Sequence, residues 1–470
     1  MDYLTDCRWP VAGLATALLS ITLAGCAPLT PDMTSALPVA TTWPADAPPG
    51  DAVGIAAAEL PWRDYVTYAP LQELIETALD NNRDLRLALL RVEEARAAYA
   101  IQRSDQFPTI GLDAQGGRSR MPGDMNITGQ PIVGGDYRAV VGLSSWELDL
   151  WGRVRSLKDA ALQEYLATDQ ARRAVRATLV AEVARAYLGL RELDERMALT
   201  RQTIATREES YRIFKRRNDV GAISTLDLTQ VETLLIHARV LGVELEQARA
   251  AQAHALVLLL GKPVELPAIQ DTETALRDEA VFAELRVGLP ADLLIARPDI
   301  VAAEHRLVAS RANIHAARAA FFPRIALTGN WGTASDELDG LFDGGSRAWS
   351  FMPTISLPIF DGGRREAGLD LAQVRSDMAV ADYEKTIQTA FREVADALSA
   401  RKWLSQQVEL RRVALDIETR RARLAQLRYD SGASPYLEVL DAQRDLLDAN
   451  NNWYKYAAAC WTAMSHCMWH

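Results

Sequence analysis

Two acidic turns, far apart in the chain, carry the residues whose types and spacing are best suited to chemistry. The segment RYDSGASPYLEVLDAQ (428–443) echoes RNDVGAISTLDLTQVE (217–232) at a spacing of 211 residues, so that Glu438 takes the place of Asp227. On a helix, Glu438 and Asp441 would share one face, because they are three residues apart. Clustered carboxylates raise the local concentration of cations. The alternative is that these acids only complement the dipole at a helix N-terminus, worth about 0.3–1 kcal/mol.

A second set of candidate ligands lies in the last residues, CWTAMSHCMWH. Cys460, His466, Cys467 and His470 are types that bind soft metals, and the two histidines have i,i+4 spacing. A periodic helix end explains them equally well, and we predict no metal site and no cofactor. The sequence contains no nucleophile elbow, phosphate loop or dinucleotide fingerprint, so we predict that the protein is not an enzyme.

The composition is that of a packed protein. Of its 470 residues, 49% are hydrophobic and 24% are charged, and the net charge is −11. This acidic balance, without a long basic run, argues against a nucleic-acid partner. It does not argue against a membrane.

The N-terminus predicts export and lipidation. A short apolar stretch ends in Leu23-Ala24-Gly25-Cys26, the pattern of a bacterial lipobox, so we predict a signal peptide over 1–25 and a lipidated Cys26. The alternative is a buried N-terminal helix with an incidental cysteine. Ala27 favours the outer membrane over inner-membrane retention. An extended linker is predicted over 26–67, and no later stretch approaches the ~20 apolar residues of a membrane-spanning helix.

The rest of the chain is a tandem duplication. Residues 83–114 match 298–329, and the echo of the acidic turn belongs to the same repeat. We predict a first repeat over 68–265, a linker over 266–289 and a second repeat over 290–470. Each half has the pattern helix, strand, loop, strand, long helix, turn, helix. The halves differ in length only in their Gly-rich segments, 116–136 and 332–348, which we predict to be exposed loops.

Very long helices are predicted in both halves, because prolines are absent between Pro131 and Pro263 and between Pro358 and Pro435. Apolar residues follow heptad spacing along the first of these helices: Leu179, Val183, Ala186, Leu190, Leu193, Met197, Thr200 and Ile204. A helix from Arg153 to about Val220 would be about 100 Å long. Turns between paired helices are predicted at 218–225 and 429–436. A free-standing coiled-coil rod would account for the helices but not for the strands.

Strands are predicted at about 107–116, 137–148, 322–332 and 349–360. Most alternate between apolar and polar residues, as WSFMPTISLPIF (349–360) does, while 137–148 alternates less cleanly. Such strands fit a transmembrane barrel with lipid outside and water inside; the alternative is a soluble sheet covered by helices. Four strands cannot close a barrel, and open edges in lipid are costly, so several chains are required. Three chains would supply twelve strands and leave room for a channel.

With these features the chain resembles the outer-membrane efflux proteins of the TolC/OprM type, in their lipoprotein branch. The resemblance extends from about Tyr68 onward and rests on the lipobox, the tandem halves, FFPRIAL (321–327), LPIFDGGRR (357–365) and the paired turns. It implies a mixed α and transmembrane β fold: a trimeric twelve-stranded barrel, four strands per chain, continuous with a long periplasmic α-helical barrel. Such proteins are homotrimeric exit ducts of tripartite pumps. They connect through a periplasmic membrane-fusion adaptor to an inner-membrane pump, here expected to be RND-type.

The resemblance also implies roles for individual residues. Glu438 and Asp441 match two aspartates that ring the closed periplasmic aperture, and Asp227 and Tyr429 match positions that hold neighbouring helices together. The tip turns contain Gly221 and Gly432, which suit adaptor contact and chain reversal.

The sequence departs from the family pattern in two places. Glu438 replaces an aspartate, and Ser434 stands where some members have an arginine, so we expect different or weaker closed-state links. Two other functions stay open at this point: a duct for type I protein secretion, and a lipid-anchored periplasmic coiled-coil adaptor. The sequence does not specify the exported substrate.

Overall fold

The computed structural model describes residues 55–56, 61–266, 281–283, 285–286 and 293–467. The predicted signal peptide (1–25), Cys26 and most of the two predicted linkers (26–67 and 266–289) lie outside these residues. Within the described ranges, no helix is both long enough and apolar enough to span a membrane.

Helices make up most of the described chain. They are α1 (Trp62–Tyr65), α2 (Ala69–Asn81), α3 (Arg83–Ser104), α4 (Arg153–Asp219), α5 (Thr225–Leu260), α6 (Leu293–Ala296), α7 (Pro298–Ala319), α8 (Arg364–Asp430) and α9 (Tyr436–Cys467). Helices α4 and α8 each have 67 residues, which corresponds to about 100 Å of helix. The heptad stripe of α4 is largely buried, with Val183 fully inaccessible and Leu179, Leu190 and Met197 nearly so.

The four longest helices form two hairpins that pack side by side. Helix α4 packs against α5 and against α9, and α9 packs against α8. Side by side in space, the four helices therefore lie in the order α5, α4, α9, α8, with α5 and α8 on the outside. Within the described residues, this order leaves one face of α5 and one face of α8 without a neighbour among the four long helices.

The main apolar core surrounds the middle of the first hairpin. Side chains of α2, α4 and α5 meet there, with Leu71, Ile75, Leu188 and Leu256 all fully buried. The ring of Tyr65 stacks on Phe282 at 5.0 Å between centroids. Next to this core runs a short parallel pair of strands, β1 (Ile55–Ala56) and β4 (Leu285–Arg286). The segments before and after the first repeat are thus joined by backbone hydrogen bonds.

The remaining strands form one antiparallel sheet in the order β2-β3-β5-β6. They are β2 (Ile110–Met121), β3 (Ile132–Glu147), β5 (Arg324–Ser335) and β6 (Arg347–Ser356). Both halves of the duplication contribute one hairpin each, and β3 pairs with β5 at the junction. All the helix connections leave from the same end of the sheet, and the two hairpin loops, 122–131 and 336–346, lie at the other end.

One face of this sheet is apolar across all four strands. Residues directly opposite each other in an antiparallel ladder share a face. One such row runs Leu112, Val141, Trp331, Trp349. Leu112, Trp331 and Trp349 are 79%, 66% and 75% exposed, so this face meets the surroundings of the protein and not its core.

The strand bounds differ from the sequence predictions in ways that the structure explains. The predicted starts at 107 and 322 are too early, because Phe107 and Phe322 close the turns that end α3 and α7. The predicted end at 360 is too late, since β6 stops at Ser356, two residues before Pro358, which has no amide hydrogen. The segments 116–136 and 332–348 are not wholly loops, because the strands continue well into both.

The uneven alternation of 137–148 also has a structural cause. The pairing of β3 with β5 shifts by one residue between Leu143 and Trp146. A bulge of this kind places an extra residue in one strand, so side chains after it change face. Leu143 and Trp146 therefore both lie on the apolar face although they are three positions apart.

A close approach of β3 and β5 at Gly332 gives a direct test of the sheet. A Cβ atom added at Gly332 would collide with the carbonyl oxygen of Ala139 and the Cα atom of Val140. We expect Gly332→Ala to separate the strands and to cost about 1–3 kcal/mol of stability, as overpacking does. Thermal unfolding in detergent measures this cost. Gly117→Ala is the matched control, because a Cβ there meets no atom within 4 Å; equal midpoints for both variants would contradict the strand pairing.

A candidate gate at the helical tips

The two tip turns have the same backbone structure. Gly221 and Gly432 have φ angles of 75° and 73°, the left-handed conformation that glycine adopts without steric cost. The same two hydrogen bonds close each helix end: Gly221 N to Asn218 O and Ala222 N to Arg217 O in the first turn, and Gly432 N to Tyr429 O and Ala433 N to Arg428 O in the second. This is the Schellman motif, which ends a helix sharply. The turns occupy 220–224 and 431–435 and are shorter than the predicted 218–225 and 429–436.

Asp227 caps its own helix. Its carboxylate accepts hydrogen bonds from the backbone amide and the hydroxyl of Ser224, at 3.3 and 2.8 Å, and its amide donates to Ser224 Oγ at 3.1 Å. These bonds form a capping box at the start of α5. Among the described residues of this chain, the carboxylate of Asp227 makes no hydrogen bond to another helix.

Tyr429 does connect two helices. Its hydroxyl accepts a hydrogen bond of 2.7 Å from Arg217 Nη1, and the two residues are 212 positions apart in the chain. The bond joins the end of α8 to the end of α4, and so joins the second tip to the first. Tyr429 also contacts Tyr436 edge to face, with 4.8 Å between ring centroids.

An aromatic cluster supports this link. The Tyr436 ring lies 4.2 Å from that of Phe214, and the Arg217 guanidinium lies 5.8 Å from the Phe214 centroid. We call Phe214, Arg217, Tyr429 and Tyr436 the tip cluster. Burial raises the pKa of Tyr436, so its phenol remains a neutral donor at physiological pH. The tip cluster thus connects the two hairpins at their ends.

Glu438 and Asp441 are each close to an arginine. Glu438 Oε1 lies 3.5 Å from Arg428 Nη1, across the turn, and Asp441 Oδ1 lies 3.3 Å from Arg444 Nη1 on the same helix. Both acidic side chains are 45% exposed. Ion pairs this exposed contribute about 0–1 kcal/mol each. The two arginines nevertheless offset part of the negative charge that the sequence predicts at the helical tips.

A further acid one turn along α9 joins the two helices of the second hairpin. Asp445 accepts a 2.8 Å hydrogen bond from Arg421 of α8 and one of 3.0 Å from Arg444. The hydrogen bond from Arg421 lowers the pKa of Asp445, and the nearby Arg444 lowers it further. Asp445 is therefore ionised at neutral pH, and its link to α8 would be lost only as the pH falls through this lowered value.

Sequence reasoning named Tyr429 but missed its partner Arg217 and the neighbouring Phe214, Tyr436 and Arg428. Arg217 and Arg428 occupy equivalent positions in the two repeats, four residues before Gly221 and Gly432. Their recurrence beside the tip glycines was the available indication. The pairing of Arg217 with Tyr429 had no comparable sequence pattern, because it joins different hairpins.

Of the C-terminal cysteines and histidines, only the side chain of Cys460 belongs to the part that the structure describes. Cys460 is buried in α9, and burial raises the pKa of its thiol. The side chains of His466 and Cys467, and all of His470, lie outside the described residues. The described residues contain no group of three or more histidine, cysteine or acidic side chains that could hold a metal ion.

Comparison with known proteins places this geometry in a family. The profile of the family described as "Outer membrane efflux protein" matches residues 74–262 and 289–464. The chain is 45% identical over 437 residues to the outer membrane protein OprJ of Pseudomonas aeruginosa, covering 93% of this chain and 90% of OprJ. It is 43% identical over 446 residues to the toluene efflux pump outer membrane protein TtgC of Pseudomonas putida, covering 93% of this chain and 90% of TtgC.

A solved structure agrees with these sequence relatives. The crystal structure of the open state of the MtrE outer membrane channel of Neisseria gonorrhoeae superposes with a TM-score of 0.83 and is 35% identical. The match covers 92% of this chain and 95% of the MtrE chain. The arrangement of long hairpins and one four-stranded sheet is thus shared with a known membrane channel.

Proposed function

Since this chain belongs to the outer membrane efflux protein family, we propose that it is the exit duct of a tripartite pump that exports small molecules such as drugs and solvents. The main observation in support of this function is that the four-stranded sheet and the long helices are directly continuous. A sheet with an exposed apolar face leads directly into helices of 67 residues. The sheet suits the membrane, and helices of about 100 Å suit a passage through the periplasm. The name of TtgC specifies a pump, which favours efflux over protein secretion.

The proposed duct is a homotrimer. Strands β2 and β6 are the two edges of the sheet, and among the described residues their outer backbone groups have no strand partner. Unpaired backbone groups in lipid cost several kcal/mol each, so β6 of one chain would pair with β2 of the next. Three chains then close a barrel of twelve strands.

The outer helices support the same assembly. Apolar side chains project from the free part of α8 at heptad-like spacing, and others from α5: Leu410, Val413, Ile417, Leu424 and Leu427 on α8, and Ile236, Val240 and Val243 on α5. A second copy would cover these residues by placing its α5 beside α8.

The other face of the sheet would line the lumen. It carries Asp113 and Gln115 on β2, Asn330 on β5 and Ser350 on β6, which suit a water-filled passage. No converging catalytic set or cofactor site is part of this proposal, and the duct acts by passage alone.

At the periplasmic end we propose that Asp227, Tyr429, Glu438 and Asp441 form the gate. Three copies of Glu438 and Asp441 around one aperture would favour the passage of cations over anions. The positive charges of Arg428 and Arg444 would reduce this selectivity. Opening would be a shift of the second hairpin, driven by a partner that binds the open form better.

The proposed partners are a periplasmic membrane-fusion adaptor and an inner-membrane pump of the RND type. Small residues flank the grooves between tips, in Gly221-Ala222-Ile223 and Gly432-Ala433-Ser434, and leave room for a helical hairpin of the adaptor. A lipid on Cys26 would add an anchor in the outer membrane.

Conductance of the purified protein in a planar bilayer tests this function. We expect discrete channels whose cation selectivity falls when Asp441 is replaced by alanine, because three carboxylates leave the aperture. Asp382→Ala is the matched control: Asp382 is an exposed acid on α8, about 70 Å from the tip by helical rise. A silent bilayer would reject the channel, and equal selectivity in the two variants would reject the gate.

A further inference from the structure

Three arginines stand on the apolar face of the sheet, at the end away from the helices. Arg118 and Arg120 lie on β2 and share the face of Leu112, because side chains alternate along a strand. Arg347 lies on β6 and shares the face of Trp349 for the same reason. All three are exposed.

Each edge strand places an arginine directly beyond its apolar band. On β6, Arg347 is the next outward residue after Trp349. On β2, the last outward position before Arg118 is Gly116, which the Tyr137 ring covers: a Cβ there would lie 3.0 Å from Tyr137 Cδ1. Arg120 follows about 7 Å further along β2. On the two edge strands, the guanidinium groups therefore begin where the outward apolar side chains of the same strand end.

These arginines have no acidic partner in the part of the chain that the structure describes. The arginines of the sheet that do form ion pairs are Arg138, with Asp136, and Arg324, with Glu147. Opposite Arg118 and Arg120 on β3 are Gly135 and Val133, which offer no charge. The positive charge on this face is thus available to an external anion.

Closure of the barrel would bring the three arginines together. This step rests on the proposed function, in which β6 of one chain pairs with β2 of the next. The apolar band must be continuous around the barrel, because lipid surrounds it on all sides. Residues that directly follow the band on the two edge strands then lie at the same height. Arg347 of one chain would be adjacent to Arg118 and Arg120 of the next.

We propose that this junction binds the phosphate groups of outer-leaflet lipids, with one site at each of the three junctions in the trimer. Guanidinium groups bind phosphate oxygens in bidentate pairs, and these bonds are strengthened by charge. The acyl chains of the same lipid would lie against Trp331 and Trp349 below. This combination of phosphate and apolar contact selects a phosphorylated lipid over free phosphate.

The test uses purified trimers in detergent and, as a probe, lipid A that carries two phosphates. Binding is measured by native mass spectrometry for the wild type and for the triple variant R118Q/R120Q/R347Q. We expect affinity to fall at least about tenfold, because hydrogen bonds to charged groups are lost. Arg138→Gln is the matched control for the single variant Arg347→Gln. Arg138 lies on β3 but faces the proposed lumen, so its replacement should leave lipid binding unchanged.

Unchanged lipid binding in the triple variant would overturn the proposal, and so would equal losses in Arg138→Gln and Arg347→Gln. Equal binding of dephosphorylated lipid A would show that only the apolar surface is recognised. Displacement of the lipid by inorganic phosphate at matching concentration would reject the preference for a lipid. If the triple variant fails to assemble, the single variants decide. Bilayer conductance separates the lipid-site hypothesis from the duct hypothesis. If the wild type forms channels but the triple variant binds lipid as well as the wild type does, only the lipid site is rejected. If the wild type forms no channels, the duct and the lipid site are both rejected.

Discussion

We expect Gly432→Trp to abolish efflux while trimers still assemble in the outer membrane. A Cβ atom added at Gly432 would meet no atom of the described chain within 4 Å. The folding cost is confined to the left-handed backbone, about 1–2 kcal/mol. The indole would instead fill the groove between tips where the adaptor hairpin is proposed to dock. Drug resistance should fall to the level of a strain without the channel.

Two controls separate docking from folding in this experiment. Gly432→Asn keeps a small residue that tolerates the left-handed conformation, and it should retain resistance. Gly129 also has a positive φ, 66°, and open space around its Cβ position, but it lies in the hairpin loop at the opposite end of the sheet. Gly129→Trp should leave efflux intact. Full resistance in Gly432→Trp cells would remove the tip groove as the docking site, and loss of its trimers would assign Gly432 a structural role.

The second large effect concerns the link between Arg217 and Tyr429. We expect Tyr429→Phe to increase the bilayer conductance of the purified channel, because it deletes the 2.7 Å hydrogen bond between the tips and keeps the ring against Tyr436. A hydrogen bond of this kind contributes about 1 kcal/mol net. If the three chains open together, the closed trimer loses about 3 kcal/mol of stabilisation. This loss shifts the ratio of open to closed channels about 150-fold.

The sign of this effect follows from differential stabilisation. Deleting a bond shifts the equilibrium only if the bond is stronger in the closed form than in the open form. Tyr165→Phe is the control, because Tyr165 stacks on Tyr99 in the shaft of the helical region, away from the tips. Conductance that is identical in wild type, Tyr429→Phe and Tyr165→Phe would show that the Arg217–Tyr429 bond persists on opening.

Charge at the proposed gate is more balanced than its acids alone indicate. Glu438, Asp441 and Asp445 each have an arginine within 3.5 Å. The pairs Asp445–Arg421 and Glu438–Arg428 both join α8 to α9, so they would move together when the second hairpin shifts. We therefore interpret these pairs as contacts that keep the second hairpin intact during opening, and the arginines as charges that reduce the attraction of cations by the acids.

Local periodicity accounts for the features of this protein that were predictable from its residues. Heptad spacing and the absence of proline predicted the length of α4, and alternation predicted the apolar face that contains Trp349. The tip turns were recognisable because glycine and acidic residues recur at one spacing in both repeats. Each of these patterns depends on neighbours in the chain, so no knowledge of distant contacts was needed.

Contacts between distant segments were decided by packing in three dimensions. The bulge after Leu143 arises from the pairing of β3 with β5, which belong to different repeats. The bond between Arg217 and Tyr429 exists because the second hairpin packs beside α4, an arrangement that many side-chain shapes together determine. At Asp227 a local contact replaces a distant one. The family resemblance predicts that its carboxylate links two helices, but in the structure this carboxylate belongs to the capping box of its own helix. Which partner a charged side chain takes depends on what the fold brings within about 3 Å of it, and a linear pattern contains no such distance.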